Sequence, residues 1–292
     1  MKLSIVVICH NMRREAARTL YTLSAAYQRG VAAEDYEVIA IDNGSDAPLD
    51  PDMVTAMGPN FSYHFHDTDS VSPVEAVNLG SEMARGAGLA VIVDGARMVS
   101  PGLIAQSLQA MQLHDSSFVC ALAWHLGPDI QPRSIQHGYD QAVEDQLLTA
   151  VDWRRDGYQL FAISTISPAS RYGFLGPLPP ECSWFCLPRA LFDQLGGFNP
   201  AFTSPGGGFC NQDFRNRAVT HPGVVSTVIL GEGLFHQVHG GAATNAPPDR
   251  RPHRMFGEEY RAITGKPYAS KTPLKTVYFG EMPEAARRYL LL

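Results

Sequence analysis

Leu3-Ser4-Ile5-Val6-Val7-Ile8-Cys9-His10-Asn11 and Glu37-Val38-Ile39-Ala40-Ile41-Asp42-Asn43-Gly44-Ser45 share one plan: an apolar, β-branched run that stops abruptly in polar residues. A short continuous apolar run of this kind reads as a strand buried on both faces. Between the two, Ala16, Leu20, Leu23 and Tyr27 recur at helical spacing and predict a helix over residues 12–28. Asp42-Asn43-Gly44-Ser45-Asp46 closes the second run with turn chemistry. The alternation continues with a strand over residues 61–65. Ser72-Pro73-Val74-Glu75 then opens a helix as a capping box with Pro at its first position. A strand over residues 89–93 ends at Asp94, and Ser100-Pro101 starts the next helix. Such alternation implies an α/β fold whose mostly parallel sheet is covered by helices on both faces.

The second half is less regular. Strands are predicted over residues 118–124, 182–187 and 224–230, and helices over 138–150, 188–195 and 212–220. Residues 174–180 form a Gly- and Pro-rich loop, residues 203–208 a glycine-rich one, and the tail an extended wrap with short helices. No internal repeat interrupts this order.

Composition narrows the class. With 292 residues, 45% of them hydrophobic, the chain has material for a large core, which excludes disordered and small stapled folds. A net charge of -6 argues against a dedicated nucleic-acid binder. Residues 247–292 hold 9 Lys and Arg against 5 Asp and Glu, whereas the first 246 hold 14 against 24. Arg250-Arg251 and Arg287-Arg288 lie far apart in this basic tail, so it reads as solvated surface. The opening apolar run meets Asn11, Arg13, Arg14 and Glu15 at once, without a small-residue cleavage site, so it is a strand and not a signal peptide. No stretch approaches the roughly 18 apolar residues of a membrane span. Five scattered cysteines imply buried thiols in a reducing compartment, and Cys182 with Cys186 lacks the second ligand pair of a zinc finger. A cytoplasmic enzyme is expected, with peripheral contact to the inner face of a membrane left open.

Ligands of open parallel sheets bind beyond the carboxyl ends of the strands. Three polar clusters fall there: Cys9-His10-Asn11, Asp42-Asn43-Gly44-Ser45 and Asp94-Gly95-Ala96-Arg97. A carboxylate just past a buried strand costs solvation unless it is paired or used. Asp42 and Asp94 after strands of one sheet therefore suggest a shared ligand crevice, or else two turn caps.

These blocks resemble the opening of family-2 glycosyltransferases with the GT-A fold. Asn78-Leu79-Gly80 leading into Val93-Asp94 is similar to that family's Asn-x-Gly helix and Asp-x-Asp strand, and Leu195-Gly196-Gly197-Phe198 to its Gly-Gly-Phe segment. Asn211-Gln212-Asp213-Phe214 falls where the family has Glu-Asp, and His236 and His239 where a late metal-binding His is expected. The resemblance runs over residues 3–241. It implies an inverting transfer of a sugar from a nucleotide-diphosphate donor to an acceptor hydroxyl, in polysaccharide, glycolipid or natural-product assembly. The implied donor site is His10, Asn11, Asp42, Asn43, Ser45, Asn78, Asp94 and Arg97, with Asp42 accepting from a base imide and so favouring UDP or dTDP. Asp213 is implied as the general base, Trp184, Gly207 and Gln212 as acceptor contacts, and Mn²⁺ or Mg²⁺ as the cofactor at Asp94 with His236 or His239. The structural alternatives are a turn cap for Asp42, a helix N-terminal carboxylate for Asp213 and a core position for Trp184. A transferase domain over residues 1–245 would divide into a nucleotide half (1–100) and an acceptor half (101–245), followed by an extension over 246–292.

The departures carry equal weight. Ala96 stands where the family's second Asp binds the metal, so a hard oxygen ligand is missing. Three accounts stay open: a metal held by Asp94, phosphate and a His; cationic replacement by Arg97 with Arg13 or Arg14; or lost catalysis. Gln212 replaces the usual Glu and cannot act as a base. His236 and His239, three apart on a strand, would face opposite sides, so at most one is expected to bind metal. The other histidines, His125 and His253 among them, show no ligand spacing. A nucleotidyltransferase is disfavoured because Cys9-His10-Asn11-Met12 is no glycine-rich phosphate loop. The non-enzymatic rival is a degenerate GT-A module that binds nucleotide or glycan and scaffolds a partner.

Overall fold

In the computed structural model, which describes residues 1–241 and 252–290, the first apolar run becomes β1 (Leu3–Cys9), every residue of which is buried. Its alternate side chains feed two cores: Val6 and Ile8 pack on one face of the sheet, Ile5 and Val7 on the other. Elements follow as α1 (Arg13–Leu23), β2 (Tyr36–Asn43), α2 (Pro51–Thr55), β3 (Phe61–His66), α3 (Val74–Met83), β4 (Gly88–Ile92) and β5 (Arg97–Val99). The chain continues with α4 (Leu103–Met111), β6 (Ser117–Leu126), α5 (Gln131–Ser134), α6 (Gln141–Thr149), β7 (Ser164–Ile166) and β8 (Trp184–Pro188). It closes with α7 (Arg189–Gln194), α8 (Cys210–Val219) and β9 (Val225–His236); α9 (His253–Thr264) and β10 (Thr276–Phe279) come from the tail.

One sheet runs in the order β10-β9-β6-β8-β4-β1-β2-β3, with β5 paired to β9 and β7 to β6. β1 is parallel to β2 and β4, with Cys9 opposite Asp42. β8 is the exception inside the main order, antiparallel to both β4 and β6. The sheet is thus mixed but mostly parallel, and the strands that carry the polar clusters all point the same way.

Several local expectations change. The predicted capping box does not form: Ser72 Oγ donates to the Phe202 carbonyl at 2.7 Å, and α3 begins at Val74 without a side-chain cap. α1 stops at Leu23, where the Ser24 hydroxyl and N–H both turn back to the Tyr21 carbonyl. α8 starts at Cys210, two residues before the predicted start at Gln212. The tail is more regular than an extended wrap: α9 spans twelve residues, and β10 extends the sheet in parallel beside β9. Glu259 of α9 accepts from the Thr203 and Ser204 N–H groups, each at 2.8 Å. The domain boundary expected at 245/246, and Arg250 and Arg251, lie outside the described residues. All five cysteines are buried free thiols. No described helix is long and apolar enough to cross a membrane.

Candidate active site

A cavity of about 690 Å³ opens where β1, β2 and β4 end. Its floor is built by chain topology. Asp94 follows β4, and its Oδ1 accepts from the Ala96 N–H at 3.1 Å. The chain then enters β5, whose Arg97 pairs with His236 across β9. That register brings the end of β9 over Asp94, so that His236 Nε2 lies 2.8 Å from Asp94 Oδ2.

His239 joins them, contrary to the expectation of a single ligand. Strand alternation does not apply because β9 ends at His236 and the chain turns. The Gln237 N–H donates to the Ala96 carbonyl, its side chain to the Glu15 carbonyl and Thr19 Oγ1, and the Val238 N–H to Glu144 Oε2. These bonds fold the turn back until His239 Nε2 is 3.1 Å from His236 Nε2 and 3.5 Å from Asp94 Oδ1. One ligand atom from each of the three residues lies within 4.8 Å of the others. A carboxylate with two imidazoles is a donor set that fits a divalent transition-metal ion better than Mg²⁺, which prefers oxygen throughout. His236 Nδ1 is buried without a partner among the described residues.

Charge at this floor is strongly organised. Burial opposes ionisation of Asp94, but His239, His236 and Arg97 outweigh it and hold the carboxyl well below its usual range. Burial, then Arg97, pushes His236 down to about 4. His239 moves the other way: burial opposes its protonation, but Asp94 overcomes it. Arg97 Nη2 stands 3.4 Å from Asp94 Oδ2 and faces the cavity, ready for an anion. Arg13 and Arg14 do not share that role. Arg13 donates to the Pro48 carbonyl, and Arg14 is spent on Glu15, Glu144 and Asp145.

The other donor-site expectations divide. His10, Asn11 and Asn43 line the cavity beside Asp94. Asn11 has φ 52°, a left-handed conformation held by a reciprocal pair of bonds with Asp46 and by Ser45 Oγ accepting from its N–H. Asn43 donates to the Ser70 and Ser72 carbonyls, while its Oδ1 has no partner among the described residues. Asp42 does not face the cavity. It is fully buried, accepting from the N–H groups of Leu49 (2.7 Å) and Ser45 (3.3 Å) and from Tyr63 Oη (3.4 Å), because the loop after β2 folds back over it. Ser45 supports Asn11 from below. Asn78 is a clamp: its amide makes both bonds to the Phe198 backbone at 2.9 Å and ties α3 to the Gly-Gly-Phe segment.

Among the residues expected at the acceptor, Asp213 is not part of the cavity lining. Its Oδ2 accepts from Arg217 Nε one turn along α8, and Arg217 in turn donates to the Leu195 and Gly197 carbonyls. Trp184 is fully buried with its indole N–H on Ser107 Oγ, so it is a core residue. Gly207 shapes the loop, with φ +82°, and any Cβ there would lie 2.5 Å from Cys210 Sγ; its neighbours Gly206 and Gly208 line the cavity. Gln212 does face it, together with Asn211, and the side-chain oxygens of both lack partners among the described residues.

Sequence spacing did not reveal Glu181, Asn211, His125, His253 and Phe256, all of which line the cavity. His125 sits opposite His236 in the β6–β9 register, a relation visible only across the sheet. It accepts from the Gln131 N–H through Nδ1, and burial, His236 and Arg97 hold it neutral.

The pattern described as Glycosyl transferase family 2 matches residues 4–161, more than half of the chain. The chain belongs to that family. Its α/β sheet has the GT-A arrangement, and solved relatives share it at low identity. TarS of S. aureus is 12% identical with a TM-score of 0.52, the match covering 82% of this chain but 37% of TarS. The TarS 1–349 fragment gives 12% and 0.53, covering 90% of this chain and 64% of the fragment. The same fragment in complex with UDP-GlcNAc gives 14% and 0.53, covering 89% and 67%. This family-2 chain thus spans little more than a third of full TarS, and the likeness is one of fold. No curated protein matches its sequence.

Proposed function

We propose that the chain transfers a sugar, with inversion, from a nucleotide-diphosphate sugar to an acceptor hydroxyl. The observation that carries this is the convergence of Asp94, His236 and His239 on the floor of a cavity at the carboxyl rim of the sheet. His10, Asn11 and Asn43 form the wall towards β1 and β2, where a nucleoside would lie. The UDP-GlcNAc complex of the TarS fragment supports a uridine diphosphate donor. Asn211 and Gln212 on the opposite wall offer two unpaired carbonyl oxygens, suited to the hydroxyls of a saccharide, lipid-linked or small-molecule acceptor.

In the transfer, the acceptor oxygen attacks the anomeric carbon from the side opposite the diphosphate, which leaves as the nucleoside diphosphate. Arg97 is the fixed cation beside the developing negative charge, and preorganised charge of this kind is the main source of rate in such sites. A divalent ion held by Asp94, His236 and His239 would add further neutralisation of the diphosphate. Glu144 and Gln237 keep the histidine turn in place from behind.

A thermal-shift series with UDP, GDP, dTDP and CMP, each with Mn²⁺ or EDTA, tests this. A ligand at about 100 times its Kd stabilises the fold by about 2.7 kcal/mol. Stabilisation by UDP that requires Mn²⁺ is expected. Equal stabilisation in EDTA would leave the cationic role to Arg97 alone, and no response to any nucleotide would favour the degenerate binding module.

A further inference from the structure

With Asp213 tied to Arg217, α8 presents no base to the cavity: its lining residues there are Cys210, Asn211 and Gln212. Among the described residues, two carboxylates line the cavity, Asp94 and Glu181. Asp94 is engaged by His236, His239 and Arg97. Glu181 is half-buried and makes no hydrogen bond or ion pair among the described residues.

Its placement follows from the one antiparallel strand in the main sheet order. β8 runs against β4, with Phe185 opposite Val91. The residues that enter β8 therefore stand at the rim where β4 delivers Asp94. The segment that presents Glu181 is held stiffly. Arg215 of α8, 1% exposed, donates through Nε to the Pro179 carbonyl at 3.0 Å and through Nη2 to that of Leu178 at 3.4 Å. Asn211 Nδ2 donates to the Cys182 carbonyl at 2.9 Å, and Tyr268 Oη to that of Pro180 at 3.4 Å. A buried guanidinium costs several kcal/mol of desolvation unless its donors are used. Here those donors fix the backbone before Glu181 and Asn211 fixes the backbone after it, while the carboxylate itself stays uncommitted.

We propose that Glu181 is the general base of the transfer, an assignment that rests on the proposed glycosyltransferase activity. The acceptor O–H proton passes to a Glu181 carboxylate oxygen as the acceptor oxygen bonds to the anomeric carbon. The bond from that carbon to the diphosphate oxygen breaks, the nucleoside diphosphate leaves with the electron pair, and Glu181 then gives its proton to water. Asn211 and Gln212 beside it hold the acceptor through their side-chain oxygens, and Asn211 couples that contact to the Glu181 segment through Cys182.

The test is UDP release from UDP-GlcNAc by the full chain in Mn²⁺, with water or with azide as nucleophile. Azide is an anion and needs no proton removed. Wild type, E181Q and E181D are compared, with UDP binding followed by thermal shift. E181Q is expected to lose about 10²-fold or more of the water-dependent release, the usual scale of base catalysis. It should keep UDP binding and azide-dependent release close to wild type, and E181D should fall between. Water-dependent release by E181Q at the wild-type rate, or an equal loss with water and azide, would overturn the assignment. Wild type that cleaves none of UDP-GlcNAc, UDP-glucose and dTDP-glucose with either nucleophile would instead overturn the transferase activity on which it rests.

Discussion

Asp213 Oδ2 and Arg217 Nε lie 2.8 Å apart on one face of α8, and the same guanidinium reaches the Leu195 and Gly197 carbonyls. The pair therefore fastens α8 to the segment after α7 instead of serving the cavity. D213N should cost about 1 kcal/mol or less, since Arg217 is about a third exposed and solvent screens the pair. Turnover per folded molecule should change less than about threefold, against the 10²–10⁴-fold of a lost base. Denaturant melts and UDP release on the same preparation separate the two effects; a hundredfold loss of release at unchanged stability would return the base role to Asp213.

The His236–His239 turn makes a second claim measurable. Both rings meet Asp94, so H236A and H239A should each weaken Mn²⁺ binding at least as much as the 10–100-fold that even outer-shell changes cost. Titration of Mn²⁺ followed by electron paramagnetic resonance reads this directly. One variant with wild-type affinity would leave that histidine a structural role only.

Much of this was legible in residue order, and the rest fails for identifiable reasons. β1, β2 and β4 are continuous apolar runs because both faces are buried, and Asp94 announced itself as a carboxylate after such a strand. β5 and β7, three residues each, exist only through β9 and β6, which no local pattern encodes. The convergence of His239 depends on Glu15, Thr19 and Glu144, more than ninety residues away in sequence. Asp42 shows the limit of residue order in the same way: a carboxylate at a strand end is equally good at closing its own loop, and here it accepts from the Leu49 and Ser45 N–H groups. Glu181 was hidden because its surroundings come from α8 and from Tyr268 in the tail.

Gly80 gives a test of the packing beneath the site. It lies on α3 against β1, and a Cβ there would fall 2.4 Å from Val6 Cγ1. Overpacking of that kind typically costs about 1–3 kcal/mol, more than the helix propensity gained from Ala. G80A should therefore lower Tm by several degrees. Gly257 on α9 meets nothing within 4 Å, so G257A should hold or raise Tm, as Ala gains up to about 1 kcal/mol over Gly in a helix. Equal effects of the two substitutions would contradict the close approach of α3 to β1.

Glu232 ties stability to pH. It is buried within the long β9 strand, accepting from Ser100 Oγ, the Gly102 N–H and Tyr158 Oη. Burial raises its pKa from 4.5 to about 7, the hydrogen bonds offsetting only part of that cost. The folded chain therefore keeps a proton that the unfolded chain releases. Stability is full below about pH 4.5 and is lost as pH rises through 7, by about 3 kcal/mol at most for this group. Glu144 is raised to about 7 by burial and acts in the same direction. His236, lowered to about 4, acts in the opposite one, because a base with a depressed pKa favours the fold as pH rises. The difference between wild type and E232Q isolates Glu232 from both. Urea melts at pH 5 to 8 should show E232Q gaining on wild type as pH increases, and parallel curves would mean that Glu232 ionises as easily in the fold as in water.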